Sequence, residues 1–244
     1  MKRLLWVILF FVKVTILRAQ DVNEQLWVEY MLNYPFANSF NVENAFTYST
    51  LLNTPRWSAF DYSSTLEWSA SPHVELIGQA LLSYTKQTEA YNTFEFRPTL
   101  GSRIYFTPNQ RIQTRLLLRL EQRNFKDLNT QQWSQVYRPR VRAEMIIPIN
   151  QDSYFKDNLW YALTDVEWLF AQSDVQERFA NRLRLRLGIG YRLNYSLRFE
   201  FMFMNQQSRN AIEEDLASSD NIFRFRVKHY LRKFKPTNHD GTGS

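Results

Sequence analysis

The sequence predicts an all-β fold, a single antiparallel transmembrane β-barrel of about 10–12 strands that follows a cleaved signal peptide. Three observations predict it. Apolar and charged residues take turns along successive segments, an apolar run at the N-terminus has the build of an export signal, and the connections between segments alternate between short and long.

The N-terminal element comes first. Lys2 and Arg3 form a positive n-region, Leu4 to Val12 is an unbroken apolar run, and Ala19-Gln20 supplies a small residue at a cleavage point. Leu17 stands where a second small residue is usual. The run falls short of the ~20 apolar residues that a spanning helix needs. Residues 1–19 are therefore expected to be a signal peptide, residues 20–234 the barrel, and residues 235–244 a disordered polar tail. The chain has no Cys, which excludes a lipid-anchored N-terminus, disulfides and thiolate metal sites.

Composition agrees with fine alternation. Hydrophobic residues make up 44% of the 244, yet the mean hydropathy is −0.45. The net charge of +6 invites a nucleic-acid reading, but four of the basic residues (Lys2, Arg3, Lys13, Arg18) lie in the export signal. Arg224, Arg226, Lys228, Arg232, Lys233 and Lys235 crowd the C-terminal segment, and acids outnumber bases in the remainder. The basicity is not a broad phosphate-binding face, so nucleic acid is excluded as a partner.

The strand elements follow in order. Gln25–Tyr34 is a weak candidate. Phe40–Ser49 sets Phe40, Val42, Phe46 and Tyr48 against Asn41, Glu43, Thr47 and Ser49, and Phe60–Trp68 repeats the pattern. Val74–Tyr84 is weaker. Phe94–Phe106 sets Phe94, Phe96, Leu100 and Ile104 against Glu95, Arg97, Thr99 and Arg103. Arg111–Arg123 reads as a strand or as an amphipathic helix, because Arg111, Arg115, Arg119 and Arg123 recur every four residues. Its neighbours favour the strand. Tyr137–Ile147, Leu159–Phe170, Arg182–Leu193, Tyr195–Phe203 and Phe223–Val227 complete the set. Arg182–Leu193 is the clearest: on a strand its arginines all point one way and Leu183, Leu185, Leu187 and Ile189 the other, whereas a helix would scatter them.

Short connections are expected at Pro35–Ser39, Ser69–His73, Thr107–Gln110 and Leu193–Tyr195. Longer ones are expected at Thr50–Ala59, Thr85–Thr93, Asn124–Gln132, Ala171–Glu177 and Asn205–Asn221. Pro148–Asp157 is intermediate and breaks the regularity. The segments number about eleven, whereas single-chain bacterial barrels have an even number. Either a strand is missed or Gln25–Tyr34 lies outside the closed sheet, and twelve strands are favoured over ten.

Patterning alone does not say which face meets lipid, since a soluble barrel would turn the same apolar face inward. Three features favour lipid. They are the export signal, apolar faces long enough for tilted strands to cross hydrocarbon, and aromatics near strand ends (Tyr34, Trp68, Tyr84, Phe106, Trp133, Trp168, Phe170) that suit interfacial girdles.

Several pieces along the chain carry a resemblance. They are Leu26-Trp27 with Tyr30, Glu95-Phe96-Arg97-Pro98 ahead of Leu100, Arg119-Leu120-Glu121, and Tyr137-Arg138 with Arg140 and Arg142. Asn181-Arg182-Leu183-Arg184 leads into Gly188-Ile189-Gly190-Tyr191, and Glu200 is followed by Gln206. In this order they resemble the uncharacterised bacterial outer-membrane β-barrels catalogued only as a domain of unknown function. The resemblance implies a barrel, a bacterial outer-membrane location and outer-membrane lipid as a partner. It implies no reaction.

The chemistry points away from an enzyme. His73, His229 and His239 do not sit mid-strand beside a nucleophile, no GxSxG is present, and no paired metal-ligand spacing occurs. No cofactor is expected. The most distinctive residues are the candidate lumen lining. These are Arg97, Arg103, Arg119, Glu121, Arg138, Arg140, Arg142, Glu144, Asp165, Glu167, Arg182, Arg184, Arg186, Arg198, Glu200, Arg224 and Arg226. They form either a plug of Arg–carboxylate pairs or an electropositive pore lining that favours small anionic solutes. The plug is preferred, because a narrow barrel has little spare lumen. The leading expectation is a non-enzymatic outer-membrane barrel, a narrow porin-like pore or a plugged structural or accessory component. The alternative is a soluble periplasmic β-barrel that binds an apolar ligand in its interior. The acidic segment Asn205–Asn221 reads as a solvated loop.

Overall fold

The computed structural model describes residues 23–37, 39–52, 57–86, 92–108, 110–170, 182–208 and 218–231. The expected signal peptide and tail lie outside these residues. Among the described residues are eleven strands: β1 (Glu24–Ala37), β2 (Phe40–Leu51), β3 (Ser58–Ser69), β4 (Val74–Lys86), β5 (Thr93–Tyr105), β6 (Gln113–Asp127), β7 (Trp133–Pro148), β8 (Leu159–Leu169), β9 (Arg182–Arg192), β10 (Leu197–Ser208) and β11 (Ser218–Tyr230). Each pairs antiparallel with its sequence neighbour, and the sheet closes on itself. Closure satisfies the backbone groups that a free edge would expose.

Eleven strands among the described residues fall within the expected 10–12 but match neither even number. An odd count makes the first and last strands run the same way, so β1 closes on β11 in parallel, from Glu24↔Asn221 to Asn33↔Tyr230. Among the described residues no further strand completes an even set, and β1 is paired within the sheet. The parallel ladder's slanted bonds still pair the two edges. The helix reading of 111–123 is also settled. Leu116, Leu118 and Leu120 pair across to β5 and β7 as a strand, because Arg115, Arg119 and Arg123 share odd parity and so face one side in this geometry too.

Consecutive strands place the connections at two ends. Among the described connections, 70–73, 149–158 and 193–196 lie at the turn end and 128–132 at the loop end. One expected loop is shorter than predicted. β6 runs on to Asp127, whose carboxylate accepts the N–H groups of Asn129 (2.7 Å) and Thr130 (3.1 Å), and Gln131 turns the chain at φ 60°. Such an Asx turn closes a hairpin in few residues.

The two faces of the sheet divide by polarity. Leu183, Leu185, Leu187 and Ile189 on β9 are exposed on the outer surface, as are Phe46, Tyr48, Phe60, Leu66, Leu82, Phe96, Leu118, Leu120 and Phe201, and Leu100 reaches 72% exposure. Trp68, Tyr84, Phe106, Trp133, Trp168 and Phe170 stand exposed near strand ends, and Tyr34 is half-buried. Alternate residues on the same strands point inward. Glu29, Glu95, Glu121, Arg138, Arg140, Glu167, Arg186 and Glu200 are buried. The interior of this barrel is ionic and its exterior apolar, the reverse of a soluble barrel.

One close approach is built on glycine. Gly190 faces inward opposite Tyr161, and a Cβ there would lie 2.3 Å from the Tyr161 ring. The missing side chain leaves room for the ring beside Gly190 of β9. Tyr161 is fully buried as a result.

Candidate functional site: the charged lumen

Several of the lumen's carboxylates gather two or more cations. Glu167 on β8, with no exposed surface, accepts from Arg140 (2.6 Å), Arg119 (3.1 Å) and Arg184 (3.5 Å). These arginines come from β7, β6 and β9, so one carboxylate ties four strands. Glu121 receives Arg138 (2.7 Å) and Arg140. Glu144 receives Arg142 (2.7 Å) and Arg115. Glu95 receives Arg97 (2.6 Å) and Arg123 (2.7 Å). Asp165 pairs with Arg186 at 2.6 Å. Arg103 bridges Glu75 and Glu67, the latter at 3.2 Å.

The same chemistry crosses the parallel seam. Glu29 on β1 binds both Arg224 and Arg226 of β11. Arg226 also reaches Glu200 (3.0 Å), which takes Lys228 (3.0 Å) and the Tyr161 hydroxyl (2.8 Å). On the outer face of the seam the Tyr30 hydroxyl meets His229 Nδ1 at 2.8 Å. Buried charges of this kind are costly to desolvate and gain it back only when each is paired and hydrogen-bonded.

The turn end is filled differently. The connection 149–158 folds back so that Tyr154 is buried against Ile146, Leu159 and Tyr161. Its ring meets Tyr161 edge-on, with centroids 5.3 Å apart. The Arg198 guanidinium lies 4.9 Å from the Tyr154 centroid and donates to its hydroxyl (2.5 Å), and Arg192 donates to its carbonyl (3.2 Å). Cation–π contact and hydrogen bonds thus seat the connection in the mouth. In the exposed part of the same connection, Lys156 donates to Asp152 (2.7 Å) and holds that carboxyl below its usual range.

Between these groups lies a cavity of about 360 Å3. Arg97, Arg103, Arg119, Glu121, Arg138, Arg140, Arg142, Glu144, Asp165, Arg184, Arg186, Glu200, Arg224 and Arg226 line it, together with Glu29, Glu43 and Asp61. Glu167 sits behind this lining, and Arg198 lies at the Tyr154 seat. The Arg182 side chain lies outside the described residues.

Sequence reasoning had not singled out Glu29, Glu75, Arg192 or Tyr154 as candidates. The weak alternation of β1 and β4, where Met31, Ile77 and Leu81 interrupt the polar inward row, concealed the two acids. The irregular connection Pro148–Asp157 was the available signal for Tyr154. His73 stands in a turn, bonded to the Tyr105 carbonyl (2.9 Å). Among the described residues no group of three or more His, Cys, Asp or Glu could hold a metal ion.

Residues 24–217 match the family model described as a protein of unknown function (DUF2490). The chain belongs to this family. The match spans the segments that carry the resemblance, from Leu26-Trp27 to Gln206, and the family's description assigns no activity. No curated protein matches the chain by sequence. Among solved structures it is similar to the siderophore receptor PirA from Pseudomonas aeruginosa, with a TM-score of 0.33 and 13% identity over 72% of this chain and 32% of that receptor. The chain thus spans about a third of the receptor's length.

Proposed function

We propose that this family member is a non-enzymatic outer-membrane barrel whose lumen is closed by its own ion pairs. One observation carries the reading. Leu183, Leu185, Leu187 and Ile189 face outward while Arg184 and Arg186 of the same strand face the lumen. An apolar exterior of this extent is stable against acyl chains and unstable in water. Exposed aromatics near both ends fit the two interfaces. The alternative, a soluble periplasmic barrel holding an apolar ligand, is less well served by a cavity in which arginines and carboxylates predominate over apolar residues such as Met31, Ile77 and Leu117.

Closure rather than conduction follows from pairing. The arginines are engaged by Glu95, Glu121, Glu144 and Glu167, and Tyr154 is seated at the turn end. Two measurements test the two parts. In isolated outer membranes the chain is expected to show heat-modifiable gel mobility; recovery in the periplasmic supernatant without detergent contradicts the location. In planar bilayers the folded protein is expected to stay silent, and anion-favouring single-channel steps contradict closure.

A further inference from the structure

The lumen's charges are segregated by wall. Inward residues of β1–β4 include Glu29, Glu43, Asp61, Glu67 and Glu75, and no Lys or Arg faces inward there among the described residues. Bases outnumber acids on the inward faces of β6–β9. Adjacent strands satisfy part of the acidic wall, since Arg224 and Arg226 take Glu29, and Arg103 takes Glu67 and Glu75. Glu43 and Asp61 have no cation within ion-pair distance among the described residues.

Side-chain size explains where the space lies. Around these two acids, neither of them paired with a cation, the inward residues are short: Ala45, Thr47, Ser63 and Thr65, with the Ser83 hydroxyl bonded to Asp61. Thr65 stands beside Glu43 in register and already accepts from Gln79 (2.9 Å). The cavity is therefore bounded on one side by short and apolar side chains and by two carboxylates without a paired cation, and on the other mainly by arginines. The arginine side also has donors to spare. Arg186, with its side chain 6% exposed, carries a buried Nη2 with no acceptor, and Arg119 carries a buried Nε in the same condition. A buried polar group left without a partner calls for an explanation, and a ligand in the same chamber supplies one.

We propose that this cavity binds a small zwitterion, its anionic end held by Arg119 and Arg186 and its cationic end by Glu43 and Asp61. The volume lies within the roughly 300–1,000 Å3 range of small-molecule pockets. A molecule with opposite charges at its two ends answers both walls at once, whereas a simple anion leaves Glu43 and Asp61 unanswered and a simple cation leaves Arg186. The inference rests on the barrel holding a paired, closed lumen; it does not depend on which membrane surrounds it.

The test uses the whole protein folded from urea into detergent micelles with each probe present, so that access does not depend on an open mouth. Gel mobility confirms folding in every sample, which separates a failure to bind from a failure of the barrel reading. The probes are glycylglycine, N-acetylglycine (anion only) and glycinamide (cation only), compared by the shift that graded concentrations of each give to the urea unfolding midpoint at neutral pH. Glycylglycine is expected to bind at least about tenfold more tightly than either control, the scale of one added charge-assisted hydrogen bond. Glu43→Gln breaks no ion pair and is expected to weaken glycylglycine about tenfold while leaving N-acetylglycine unchanged. Equal affinity for N-acetylglycine and glycylglycine overturns the proposal, as does binding of none of the three to the folded barrel.

Discussion

Two glutamates in one lumen are expected to respond oppositely to the same substitution. Glu167 has no exposed surface and accepts from Arg119, Arg140 and Arg184. Glu167→Gln keeps the shape, removes the charge, and turns an amide N–H2 toward guanidinium donors. Breaking a buried pair costs about 3–5 kcal/mol. Arg140 keeps Glu121, and Arg184 keeps the Gln206 side chain at 2.6 Å. The loss therefore belongs at the lower end, about 3 kcal/mol, or roughly a hundredfold in the folding equilibrium. Glu43→Gln removes a carboxylate with no paired cation and is expected to change stability by less than about 0.5 kcal/mol or to raise it. Urea unfolding in micelles, followed by tryptophan fluorescence with the slope checked for constancy, measures both. A Glu167→Gln loss below about 1 kcal/mol, or an equal loss at Glu43, would refute the claim that pairing and not mere burial holds the lumen together.

Three further outcomes are expected. Leu185→Arg, on the outer face, should block assembly at a midplane cost of about 2–4 kcal/mol, read as loss of the heat-modifiable band. Gly190→Ala should destabilise by about 1–3 kcal/mol through overpacking against Tyr161, and adding Tyr161→Ala should leave the alanine at 190 without further cost, measured by a double-mutant urea series. Tyr154→Ala should unseat the connection 149–158 and allow trypsin to cut after Lys156 in the folded barrel, while Tyr154→Phe, which keeps the ring against Tyr161, should stay resistant.

The strands were legible because a period of two survives without knowledge of neighbours. Arg182–Leu193 is an instance: its alternation alone places β9 and says which residues share a side. Which side faces out was not legible, since the same pattern serves a barrel in water. Nor was the seam: about eleven segments could be counted, but the even number usual for such barrels favoured twelve, and only the parallel pairing of β1 with β11 closes the odd set. The candidate lining could be named by parity, but its pairing depends on register between strands distant in sequence. Arg119 meeting Glu167 across 48 positions is invisible to any local pattern. Glu29 and Glu75 escaped notice because apolar Met31 and Ile77 share their inward rows, and Tyr154 because a buried connection follows no period.

The central claim is that the apolar face of each strand meets acyl chains while the charged face is enclosed. The chain has no native cysteine, so single cysteines can be placed at 183 through 189 and spin-labelled without background. In reconstituted bilayers, collision with dissolved oxygen is expected to peak at 183, 185, 187 and 189 and to fall at 184, 186 and 188. Strong collision of the odd-numbered positions with a water-soluble paramagnetic reagent instead would contradict the account.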